Sequence, residues 1–397
     1  MVDTIDRAAP VFERMALSVM KRYTPEQVRW HYEHGLVLQS IYKTGVFLNK
    51  PEYKRWVKSM FDVMLPEDGR IVSYREGEYN LDQINMGKSL FVFYAETGEW
   101  KYRKAIETLR EQLKEQPRTN AGGFWHKNIY PRQMWLDGLY MGEPFYAQYA
   151  ATFNKDGWET DFDDIVRQFV LLEAKARDAK TGLLYHAWDE SRVQKWADPE
   201  TGCSPHFWGR AMGWYCMALV DTLDFIPESL PQHRKALLDI SCSLIAPLLR
   251  CQDRTSGLWH QILDCGDREG NYCETSCSAM FTYFLYKTLN KGYAKDQAEE
   301  IISGAARAYK GLMSRIREET DGELHVTGIC SVAGLGGDPY RDGSFSYYIG
   351  EPVTEDDFKG VGSLILAALE KARNDMSLYE SLDGKDGNET PCFEECK

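Results

Sequence analysis

The sequence predicts an all-α fold: about six helical hairpins closed into a toroid, with apolar helices inside and amphipathic helices outside. Three observations carry this. Amphipathic stretches with apolar residues three and four apart recur along the chain. A second set of stretches, more apolar, opens on a repeated L-D-x-x-x-M-G signature. Between the two sets lie turn signals followed by short aromatic or β-branched segments.

The amphipathic series runs through 52–65, 100–116, 164–179, 234–250 and 297–317, for example WKYRKAIETLREQLKEQ at 100–116. The apolar series is clearest in LDQINMGKSLF from Leu81 and LDGLYMGEPFY from Leu136, whose aspartates are 55 residues apart. WGRAMGWY from Trp208 keeps the Met212-Gly213 pair, and fainter echoes open at Trp30, Cys273 and Asp357. The turn series comprises DGRIVSY, GGFWHKN, TGLLYHAWD, SGLWHQILD and DGELHVTG. Each unit spans roughly 50 to 80 residues and cannot bury its apolar face alone, so units must stack or close. An open solenoid is the competing architecture; six units suffice for closure, and no strong capping repeat stands at either end. Rotational equivalence then puts Asp82 and Asp137 at matching places in neighbouring units, facing one end of a central cavity.

Composition narrows the function. The 397 residues carry a net charge of −13, which argues against a nucleic-acid partner, since a phosphate backbone calls for a basic face. A local Arg/Lys cluster still allows an anionic small substrate. The ten cysteines form no C-x-x-C and no zinc-type spacing, so neither metal nor cofactor is expected. No window approaches the length of a membrane span, and MVDTIDRAAPVFERM shows no basic region followed by an apolar run of signal-peptide length, so a soluble, reducing, cytoplasmic setting is expected.

Within RQMWLDGLYMGEPF, Asp137 stands among apolar and aromatic neighbours that raise a carboxyl pKa toward neutrality, as a proton donor requires. A helix cap is its alternative role, and Pro144 is expected to begin or kink the following helix. Asp82 reads as a first-turn carboxylate or as Asp137's partner, and two carboxylates across a cavity suit a glycosidic centre. His126 and Lys127 lead into the Asp137 segment, and His186 holds the matching place after the next turn; a satisfied, half-buried imidazole is the plainer reading of each histidine. His260 and His325 fall at similar points. Arg210 and Trp214, four apart, share a helix face where a guanidinium can hold a carboxylate while the indole stacks on a sugar. A framework aspartate is the alternative partner for Arg210. Lys359 and Arg341 are candidates for the same rim. DFDD (161–164) and EDD (355–357) read as solvated helix starts.

WLDGLYMGEPF, FWHKNIYP, LDQINMGK, LLYHAWD and FWGRAMGWY together resemble the unsaturated glycuronyl hydrolases, specifically the unsaturated rhamnogalacturonyl hydrolases, from about residue 10 to residue 373. The resemblance implies an (α/α)6 barrel over 1–379, leaving 380–397 as a polar tail expected to be disordered. It implies removal of a 4,5-unsaturated uronic acid from the non-reducing end of lyase-cut oligosaccharides, with rhamnose next to it. It further implies Asp137 as general acid/base with Asp82 beside it, and His186, Arg210 and Trp214, with Lys127, His126 and Trp208, as substrate contacts. The alternatives are an unsaturated glucuronyl hydrolase acting on glycosaminoglycan or ulvan fragments, a saturated-sugar enzyme on the same scaffold, and a non-catalytic helical repeat.

Overall fold

The computed structural model describes residues 5–154 and 156–382, the last four by backbone alone. The chain opens with α1 (Val11–Arg22) and continues in hairpins. These are α2 (Tyr32–Phe47) with α3 (Pro51–Met64), α4 (Leu90–Thr97) with α5 (Trp100–Glu115), and α6 (Leu136–Phe153) with α7 (Trp158–Ala176). There follow α8 (Gly209–Thr222) with α9 (Pro231–Arg250), and α10 (Thr275–Asn290) with α11 (Ala298–Met313). A short α12 (Phe345–Gly350) precedes α13 (Phe358–Leu382), which packs on α1 and completes the sixth pair.

The first helix of each pair also meets its neighbour around the ring. α2 packs on the 3-10 segment Asn85–Ser89 that leads into α4; that segment packs on α6, and contacts continue through α8, α10 and α13 back to α2. The ring is closed, an (α/α)6 barrel, and the open solenoid is excluded.

Sequence decides which helix lies inside. α8 is buried at every position from Gly209 to Thr222, whereas α5 buries Tyr102, Ala105, Ile106, Leu109 and Leu113 on one face and exposes charges such as Lys104, Glu111 and Glu115 on the other. The signature glycine lets inner helices approach closely. A Cβ at Gly213 would stand 2.8 Å from Met280 Sδ on α10, and one at Gly362 2.7 Å from Leu36 Cγ on α2, the contact that closes the ring. The turn glycines Gly69, Gly122, Gly182, Gly257 and Gly322 all have φ between +71° and +94°, the left-handed region where a side chain is strained.

Two local expectations are corrected. Pro144 neither starts nor breaks a helix: it lies inside α6, which begins at Leu136. Proline cannot donate to the carbonyl four residues back, Tyr140, and the Asn85 side-chain amide donates to it instead at 3.3 Å. DFDD lies in the first turns of α7, but its Asp161 is buried, pairing with Arg110 at 3.0 Å and accepting from Tyr146 at 2.9 Å. Among the described residues no helix is long and apolar enough to cross a membrane. The α13 backbone runs three residues past the expected barrel end, and residues 383–397 of the expected tail lie outside the described residues.

Candidate active site

Strand β1 (Gln133–Trp135) pairs antiparallel with β2 (Ala187–Asp189), Trp135 opposite Ala187. The zipper extends one step further, the Leu136 N–H donating to the His186 carbonyl at 3.0 Å. Asp137 and His186 are thereby brought together, Oδ2 to Nε2 at 3.6 Å. One unit earlier the geometry repeats. The Leu81 N–H donates to the His126 carbonyl at 3.1 Å, and His126 Nε2 stands 3.6 Å from Asp82 Oδ1. The hairpin repeat therefore builds one aspartate–histidine dyad twice, side by side.

The residue after each histidine separates them. In the first dyad it is Lys127, whose Nζ lies 2.6 Å from Asp82 Oδ2; in the second it is Ala187. Burial works to raise Asp82, but Lys127 and His126 outweigh it and hold the carboxyl below its usual value. Asp137 has no such partner: burial, and then the Asp82 charge, push its pKa up to about 7, with Arg210 opposing. Oδ2 of Asp137 is buried without a hydrogen-bond partner. One carboxyl is thus ionised while its neighbour still carries a proton in a large share of molecules at neutral pH, the separation of roles that acid–base chemistry needs. No side-chain cap bond is made at the start of α6, so the capping role of Asp137 falls away.

Both histidines are buried and neutral. Burial lowers His126 to about 4 against the opposing pull of Asp82, and burial holds His186 well below its usual value. Trp135 stacks on His126 at 4.7 Å and meets His186 edge-on. His186 Nδ1 lies 2.7 Å from the Tyr348 hydroxyl.

Arg210 is 1% exposed and donates from Nη2 to the Cys330 carbonyl at 2.6 Å, leaving Nε and Nη1 buried without acceptors. No framework aspartate bonds to it. Its expected pairing with Trp214 is corrected: the guanidinium lies over Trp208 instead, 5.1 Å from the ring centroid. Trp208 stacks on Tyr348, while Trp214 is buried against Tyr140 at 4.7 Å. Lys127 is engaged by Asp82 rather than standing free for a substrate carboxylate. Lys359, 3% exposed, is held by Glu33 and by Asp357 at 2.8 Å. Arg341 reaches Tyr130, Leu335 and Gly336 on the histidine side of the rim. His325 bonds Asp356 at 2.6 Å and His260 sits 3.7 Å from Cys273 Sγ, so both belong to the framework. Sequence reasoning passed over Tyr348 and Trp135; Trp135 had a signal, its place directly before LDG.

Comparison with known proteins agrees with this geometry. The profile of Glycosyl Hydrolase Family 88 matches residues 11–375. A glycoside hydrolase from family 105 of Clostridium acetobutylicum superposes with a TM-score of 0.87 at 46% identity, covering 92% of this chain and 99% of that one. Protein Atu3128 of Agrobacterium fabrum is 41% identical over 234 residues, 58% of this chain and 97% of its own. The unsaturated rhamnogalacturonyl hydrolase YesR of Bacillus subtilis is 28% identical over 268 residues, 66% of this chain and 71% of its own. The chain belongs to glycosyl hydrolase family 88 and is a glycoside hydrolase.

Proposed function

We propose that this enzyme removes a 4,5-unsaturated uronic acid, galacturonyl linked to rhamnose, from the non-reducing end of lyase-generated oligosaccharides. The observation that carries the reading is the split dyad: a carboxyl with pKa about 7 beside an ionised one, with an arginine offering two unfilled donors close by. An enol ether needs a proton donor at C4, and a uronate needs a cation for its carboxylate. The kinship with YesR supports the rhamnose-linked substrate.

Asp137 gives its proton to C4, the C4=C5 electrons forming the new C–H bond while oxocarbenium charge develops on C5 and the ring oxygen. Water adds at C5 and returns a proton to the Asp137 carboxylate. The hemiketal then opens at the bond between C5 and the ring oxygen, leaving a C5 ketone, and the exposed C1 hemiacetal expels the rhamnosyl alcohol as C1 becomes an aldehyde. Arg210 Nε and Nη1 hold the uronate carboxylate on C5, which sets neighbouring C4 toward Asp137. Asp82, fixed by Lys127 and His126, keeps the proton affinity of Asp137 high; His186, oriented by Tyr348, flanks it. Trp208 presents the apolar wall for the ring, and Trp214 supports the floor through Tyr140.

Three substrates test the reading: unsaturated galacturonyl-rhamnose, an unsaturated glucuronyl disaccharide, and saturated galacturonyl-rhamnose. The first should be hydrolysed fastest and the third not at all. Preference for the second would move the assignment to the glucuronyl type, and cleavage of the third would reject hydration of a double bond.

A further inference from the structure

On the outer wall, where the end of α9 meets α11, a cavity of about 570 Å³ is lined by Leu249, Arg250, Gln252, Arg254 and Arg307. Three guanidinium groups and no carboxylate form its lining, in a chain of net charge −13. Several other arginines are held by acids, as Arg118 is by Asp164, Arg177 by Glu173 and Arg317 by Glu355. Here the acceptors are neutral. Arg307 donates from Nη2 to Gln252 Oε1 at 2.6 Å and from Nη1 to Ser303 Oγ at 2.7 Å; Arg250 donates to the Thr181 carbonyl at 2.8 Å.

The arrangement is built rather than incidental. Gln252 is buried, and its Nε2 donates to the Gly257 and Gly304 carbonyls at 2.8 and 2.9 Å, so its amide is locked with Oε1 toward Arg307. Asp253, the nearest carboxylate along the chain, folds into its own turn, where Oδ1 accepts the Ser256 N–H at 2.7 Å and hydroxyl at 2.6 Å. The acid closest in sequence thus turns Oδ1 into its own loop, and three guanidinium groups are held around one hollow. Guanidinium forks match the paired oxygens of carboxylate and phosphate.

We propose that this cavity binds a small multivalent anion, carboxylate or phosphate, at a site separate from the dyads. The inference does not rest on the proposed substrate. Titration calorimetry of the full chain at low ionic strength, with inorganic phosphate and with trigalacturonate in separate runs, tests it against R254A/R307A. Wild type should bind at least one of the two, and the double variant should bind it at least about tenfold more weakly, with unchanged hydrolysis of a disaccharide; R254A, which leaves the Arg307–Gln252 bond intact, should weaken binding in the same direction at an unchanged melting temperature. Phosphate binding alone identifies a free oxyanion; stronger binding of trigalacturonate identifies an acidic sugar chain. Equal affinity in both proteins, or no heat from either anion in wild type, overturns the proposal.

Discussion

Lys127 Nζ lies 2.6 Å from Asp82 Oδ2, and no cation takes that place beside Asp137 because the matching residue is Ala187. Two geometrically similar dyads therefore titrate far apart. Lys127 is the charge that lowers Asp82 most, and it leaves Asp137 as the carrier of the proton.

The pH profile follows with a definite sign. Wild-type kcat/KM should fall as pH rises through about 7, where Asp137 loses its proton. D82N removes the negative neighbour that raises Asp137, so its alkaline limb should move to lower pH. K127M removes a positive neighbour, so its limb should move to higher pH. Profiles that shift in the same direction would contradict the division of roles.

Tyr348 orients His186 through its hydroxyl, 2.7 Å from Nδ1. Y348F should lower kcat by about tenfold while changing KM little, since the ring loses its hold but the carboxylate clamp remains. A nitrogen NMR spectrum should show the His186 tautomer population change with it. An unaltered tautomer and kcat would make Tyr348 a packing residue.

Asp137 should also weaken the fold that holds it. Its folded pKa, about 7, lies above the ordinary value of 3.8, so the stability of the protonated form is fully present below about 3.8 and is lost as pH rises to about 7. D137N should therefore melt higher than wild type at pH 8, by an amount reaching at most roughly 4 kcal/mol, and much less so at pH 4. Equal melting temperatures at pH 8 would mean that the carboxylate is not held against its preference.

The exchange at Pro144 predicts a coupled pair. N85A leaves the buried Tyr140 carbonyl unpaired and should lower stability by about 1–3 kcal/mol. P144A restores the helical N–H, so N85A should be less damaging in that background. A double-mutant cycle by denaturant unfolding measures the difference, and strict additivity would sever the link.

The rings were legible because their causes are local: three- and four-spaced apolar residues in α5, a mostly apolar α8, and glycines such as Gly213 and Gly362 where inner helices meet. The dyads were half legible. His126 and His186 each stand four residues after a turn glycine, Gly122 and Gly182, so their equivalence could be read. That each histidine meets the aspartate of the preceding unit depends on how successive units stack around the ring, which spacing does not state. Helix periodicity joined Arg210 to Trp214, whereas the start of α8 folds the guanidinium back over Trp208. Tyr348, 162 residues from His186, left no local trace.

The proton on Asp137 is the centre of the account, and the rate of D137N on an unsaturated galacturonyl disaccharide tests it most directly, read as loss of the ultraviolet absorbance of the C4=C5 bond. An amide of the same shape cannot deliver that proton, so kcat should fall by roughly 10² to 10⁴. A D137N enzyme that turns over at the wild-type rate would contradict it.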